Sequence, residues 1–254
     1  EAFGLAYAEA GDLDAAIDWY GRAVRAGDGS ASLRAAEQWA NLMARRGAGR
    51  SDRAQGRTEI HTAIAHLQQL AALHSTVERE SLLGSAWKRL AMVGEGKAAQ
   101  DALSHLVEHY ARAETLARDE GAANLFYPIM NAIAGELRLA ALRGRAGVAL
   151  DGTRVGAARQ SLQDAVSRAP DFWSVVGLVE LQWLEAVAAK RLAAARESIA
   201  AAFEDLAQRV PSPHLWKSAR DQAQFVLAPY AAAAGGAEAA AAKALLKQLD
   251  ELGK

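Results

Sequence analysis

The sequence predicts an all-α fold built from repeated helical hairpins, and three observations carry that reading. Ala and Leu dominate while strand-like Val/Ile/Thr alternation is missing. Only 5 prolines interrupt the chain. A small residue set among large apolar ones recurs at Gly4, Ala40, Gly84, Asn131 and Gly177, at intervals of 36 to 47 residues. With 254 residues, 51% of them hydrophobic, the chain holds more core than one compact helical bundle needs.

The same numbers exclude several functional classes. A formal net charge of -1 speaks against nucleic acid as a partner, because such binders are clearly basic on at least one face. Cysteine is absent, which removes disulfides, Cys-ligated zinc and a thiol nucleophile. The most apolar stretch, FWSVVGLVELQWLEAVAA from Phe172, is broken by Glu180, Gln182 and Glu185. It reads as a buried helix, so no membrane partner is expected. No signal peptide is visible, a cytoplasmic location is expected, and without an initiator Met the chain reads as a piece of a longer protein.

A first repeat is expected over 1–30, its pair of helices in EAFGLAYAEAGDLDAAIDWYGRAVRAG, Glu1 to Gly27. Leu13, Ala16, Ile17, Tyr20, Ala23 and Val24 form one apolar stripe. Gly11 and Asp12 supply a left-handed turn and an N-cap. A second repeat is expected over 31–75, with Ala36, Trp39, Ala40 and Met43 in its first helix. Its second helix runs from about Thr58 to His74, after a glycine-rich mobile loop, Gly47–Arg57. A third, 78–119, opens with ERESLLGSAWKRLA. A fourth, 124–170, opens with NLFYPIMNAIAGELRLAALRG, where Pro128 suits a first helical turn. A fifth covers 171–211. Helix endings at Ala158, Leu162, Ala165, Pro170 and at Ile199, Phe203, Leu206, Pro211 share one spacing, which supports a true repeat. Two closing helices, 213–252, are expected to cover the last apolar face.

Gly4, Tyr7, Gly11, Ala16, Tyr20 and Ala23, with Leu83-Gly84-x-x-Trp87 later, resemble the tetratricopeptide (TPR) pattern. Tyr7, Trp87 and Trp173 then take wedge positions inside their repeats. The resemblance implies a right-handed α-solenoid of about five helix pairs and a closing pair, beginning inside a repeat. The long period, against roughly 34 for a standard TPR, leaves HEAT or armadillo repeats as the alternative. From Glu78 to Asn131 the chain is similar to the divergent TPR region of bacterial signalling proteins with CHAT peptidase or TIR domains. It is also similar to the TRAF-binding region of stress-activated kinases. That likeness implies a non-catalytic sensing or interaction arm, with an effector domain elsewhere and no inherited site residue.

Candidate chemistry is sparse, and no cofactor is expected. His105-Leu-Val-Glu108-His109 matches the H-x-x-E-H spacing of an inverted zincin, with His105 and His109 as ligands and Glu108 beside an activated water. Zinc peptidase chemistry is the alternative function on this motif. Against it, the helix already packs through Leu106 and Tyr110, both histidines fall on its flank, and the surrounding fold lacks strands. His61 and His66 do not share a face, and GEGK at Gly94 lacks Walker spacing.

A solenoid usually binds on the concave face lined by the first helix of each pair. That face is expected to receive Asn41, Arg45, Ser81, Ser85, Lys88 and Arg89, followed by Ala132 and Glu136. Such a set suits a protein or peptide partner, an acidic one above all.

Overall fold

The computed structural model describes residues 1–26, 28, 29, 31–210 and 213–252, with positions 213 and 214 as backbone alone. The repeat ends expected at Gly27, Ser30 and Pro211 lie outside the described residues, as does the Pro213 side chain. Among the described residues there are twelve helices and no strand. They are α1 (Ala2–Glu9), α2 (Leu13–Arg25), α3 (Leu33–Gly49), α4 (Arg53–Leu73), α5 (Val77–Val93) and α6 (Gly96–Asp119). There follow α7 (Phe126–Leu142), α8 (Gly152–Arg168), α9 (Phe172–Ala188), α10 (Leu192–Arg209), α11 (Pro213–Ala234) and α12 (Gly236–Leu252). The fold class is therefore all-α, of TPR-like helical hairpins. The chain forms two compact units, Glu1–Leu116 and Ala117–Lys254.

In the first unit, small residues set the distance between paired helices. A Cβ on Gly4 would lie 2.8 Å from the Tyr20 ring, and one on Gly84 would lie 2.7 Å from the ring of Tyr110. Each glycine thus makes room for one tyrosine knob, and both tyrosines are buried. The α1–α2 turn is as expected. Gly11 sits at φ +82° and the Asp12 carboxylate accepts from the Ala15 N–H at 3.0 Å. Tyr7, however, is exposed rather than wedged.

The stretch 47–57 is not a mobile loop. Only residues 50–52 separate α3 from α4, and Asp52 caps α4 through the Ala54 and Gln55 N–H groups. Gly47 and Gly56 face each other across the crossing, where a Cβ on Gly47 would lie 2.7 Å from the Gly56 carbonyl oxygen. Two backbones meet where the sequence pattern shows a glycine-rich break. Glu59 fastens the crossing by accepting from Arg46 at 3.0 Å and from Arg50 at 2.8 Å. Arg46 reaches on to Asp14 of α2. Helix α5 then packs on both α3 and α4.

The second unit starts with successive packing of α7, α8, α9 and α10. Gly177 of α9 takes its knob from Leu162 of α8, its predecessor, at 2.7 Å from an added Cβ. Asn131 does not occupy the small position expected of it. It is half-buried and donates to the Tyr127 carbonyl of its own helix, while Ala132 and Ile133 beside it are fully buried. Trp173, expected inside, is 45% exposed, and the core tryptophans of this unit are Trp183 and Trp216.

The last two helices do more than close an end. Helix α12 packs on α10, whereas α11 returns to lie along α7 and also touches α9. Pro229 lies inside α11, four residues after a point of contact with α7. A proline has no N–H, so the carbonyl four residues back, that of Phe225, loses its helical donor. Arg138 of α7 supplies the replacement, its Nη1 donating to Phe225 O at 2.6 Å while the guanidinium lies over the Phe225 ring. Burial pulls the Arg138 pKa below its ordinary value. Glu238, in the first turn of α12, meanwhile caps α10 from outside, accepting from the Leu192 and Ala193 N–H groups at 2.9 and 3.0 Å.

Candidate partner-binding face

The expected face is built from α3 and α5, which pack directly together in the first unit. Helix α3 is started by Ser32, whose hydroxyl accepts from the Ala35 N–H. The Glu1 carboxylate accepts from both the N–H and hydroxyl of Ser32. Helix α5 is started by Thr76 through the Arg79 N–H. One turn apart on α3, Asn41 is half-buried and Arg45 exposed. On α5, Ser85, Lys88 and Arg89 are all half-buried. Arg89 Nη1 donates to the Ser85 carbonyl at 3.1 Å and also to its hydroxyl, so its guanidinium folds back along the helix.

Ser81 does not belong to this face. It is 6% exposed, and its hydroxyl has no hydrogen-bond partner among the described residues. The expected contribution of Ala132 fails for the same reason, since that residue is fully buried. Glu136 pairs with Arg154 of α8 at 2.8 Å.

Beneath the start of α5 lies a polar network that the hydrophobic pattern does not reveal. Adjacent residues Arg79 and Glu80 are both buried and point to different neighbours. Arg79 Nε donates to Glu37 of α3 at 2.7 Å, and its Nη1 donates to the Leu70 and His74 carbonyls at the end of α4. Glu80 receives Ser75 Oγ at 2.7 Å and Arg112 Nε at 3.1 Å, with His109 Nδ1 at 2.8 Å. Burial pushes the Glu80 carboxyl up. The hydrogen bonds from His109, Ser75 and Arg112 outweigh it and bring the pKa down to about 2. The dipeptide therefore ties α3, α4, α5 and α6 into one frame that holds Ser85, Lys88 and Arg89 in place. A charged pair directly before an apolar helix run was the available signal, but charge at a helix start also fits ordinary solvation.

The two histidines of the H-x-x-E-H stretch are turned to different tasks. His109 is buried against Glu80. His105 is exposed and stacks on Trp87, ring centroids 4.4 Å apart, with Glu108 Oε2 3.4 Å from its Nδ1. Hence the expectation that both lie on the helix flank holds for His105 only. Among the described residues no group of three or more His, Cys, Asp or Glu is placed to hold a metal ion. No helix among them is long and apolar enough to cross a membrane.

Comparison with known proteins gives one family. Residues 12–138 match Tetratricopeptide Repeats-Sensor (TPR-S), a stretch that contains α2 to α6 and most of α7. No curated protein matches the chain. The match covers half of the sequence and contains the Gly84–Tyr110 hairpin described above. The chain belongs to the Tetratricopeptide Repeats-Sensor family.

Proposed function

We propose that the chain is a non-catalytic interaction and sensing module of a cytoplasmic, multidomain bacterial signalling or defence protein. Its partner is an acidic peptide segment, held on the α3–α5 face of the first unit. The observation that carries the reading is the exposed Arg45, beside Asn41 on α3, with the half-buried Lys88 and Arg89 on the helix packed next to it. Cations and amide donors on neighbouring helices suit carboxylates, which Arg binds in bidentate fashion. Family membership supports a repeat module whose work is recognition.

The test uses a fluorescein-labelled acidic octapeptide and a lysine-rich control, read by polarisation at two salt concentrations. The expected result is binding of the acidic probe alone, weakened by salt and at least about tenfold weaker in Arg45→Glu with Lys88→Glu. Equal binding of both probes, or an unchanged affinity in the double variant, contradicts the assignment.

A further inference from the structure

The second unit carries a cavity of about 670 Å³ that lies outside the residues matched by the family. It opens between the α7–α8 connection, the α9–α10 turn and the facing ends of α11 and α12. Its lining includes Gly144, Arg145, Gly147, Lys190, Tyr230 and Glu238. This volume falls in the range of small-molecule sites.

Backbone contacts set the frame of this open cleft. The Val148 N–H donates to the Ala188 carbonyl at 3.1 Å, which ties the connecting segment to the α9–α10 turn. Gly147, at φ +87°, passes so close to that carbonyl that a Cβ could not be accommodated. The Glu238 carboxylate is fully engaged. It takes the two N–H groups that open α10 and the Tyr230 hydroxyl at 2.6 Å. Burial and this neighbour push the Tyr230 phenol up, so Tyr230 stays a neutral donor.

The charge balance of the lining is therefore one-sided. Its carboxylate is already compensated by hydrogen bonds and by the positive end of α10. Its two cations, Arg145 and Lys190, are exposed and have no hydrogen bond or ion pair from their side chains among the described residues. Lys190 also stands where glycine is the residue of lowest strain. At φ +55° it is the one non-glycine residue in the left-handed region among the described residues. It ends α9, with the Arg191 N–H donating to the Ala186 carbonyl at 2.8 Å. A cation at a strained position on a cavity wall is a candidate binding group.

We propose that this cavity binds a small molecule through an oxyanion, a phosphate ester or a carboxylate, held by Arg145 and Lys190. The site is independent of the α3–α5 face, and its ligand need not be the partner bound there.

Lys190→Gly separates binding from folding, because it removes the charge while relieving the backbone. Ligand-observed saturation-transfer NMR on the full chain is run with glycerol 3-phosphate, glutarate and neutral glycerol. The expected result is transfer to at least one anion and none to glycerol; the anion that responds identifies the charged group. Lys190→Gly should melt at the same temperature or up to about 4 °C higher. It should bind that anion at least about tenfold more weakly, as should Arg145→Ala. Silence from both anions, an equal response to glycerol, or undiminished binding in Lys190→Gly overturns the proposal.

Discussion

The two units use the same hairpin and fasten it differently. In the first, glycines admit a tyrosine ring or another backbone: Gly4 with Tyr20, Gly84 with Tyr110, Gly47 with Gly56. Each contact joins a helix to its own hairpin partner, and Arg79 ties α5 to the preceding α3–α4 hairpin. In the second unit Gly177 packs on the preceding hairpin. Its two distinctive polar contacts join elements far apart in sequence, Arg138 to Phe225 and Glu238 to Leu192. Local grammar is enough where each hairpin meets the next. A helix that returns to an earlier one needs a donor or a cap supplied from elsewhere.

The largest effect expected from this contrast is at the glycine crossing. Gly56→Ala sets a Cβ against the Gly47 carbonyl, where no flexible side chain can give way. It should cost about 3 kcal/mol or more in urea unfolding. Gly156→Ala in α8 faces open space and should stabilise by about 0.5–1 kcal/mol. Equal effects of the two changes would remove the distinction between packed and incidental glycines.

Next in size is the Glu80 network. Its carboxyl titrates near 2 in the folded protein against an ordinary 4.5, so its stabilisation is complete above about pH 4.5. It is lost as the pH falls towards 2. Glu80→Gln should cost about 3 kcal/mol at pH 7, because Arg112 and His109 lose a buried acceptor charge. Between pH 7 and pH 3 the wild type should lose about 2 kcal/mol more than Glu80→Gln does. Parallel pH curves would show that this carboxylate is not held by the network.

What the sequence made legible follows from how local each interaction is. The Gly11–Asp12 turn, the buried stripe of Ala16, Ile17 and Tyr20, and the place of Pro128 in the first turn of α7 depend on residues a few positions apart. All three were readable. The α3–α4 crossing was not, since a glycine that admits a neighbouring backbone looks like one that breaks a helix. Ser81 was misplaced because a serine directly after the charged run Glu78–Glu80 looks solvated, while the structure buries it. His109 and Glu80 are 29 residues apart, and no periodicity links them. Of the proposed binding face, the helices and the exposure of Arg45 were legible; the frame beneath it was not.

The return of α11 is the central difference between the units, and a double-mutant cycle tests it most directly. Arg138→Met removes the bond from Arg138 to the Phe225 carbonyl and should cost about 2 kcal/mol. In a Pro229→Ala background the N–H restored at position 229 can serve that carbonyl, so the same change should cost at least about 1 kcal/mol less. Two costs that add within about 0.5 kcal/mol would contradict the account, for Arg138 would then not be replacing the bond that Pro229 removes.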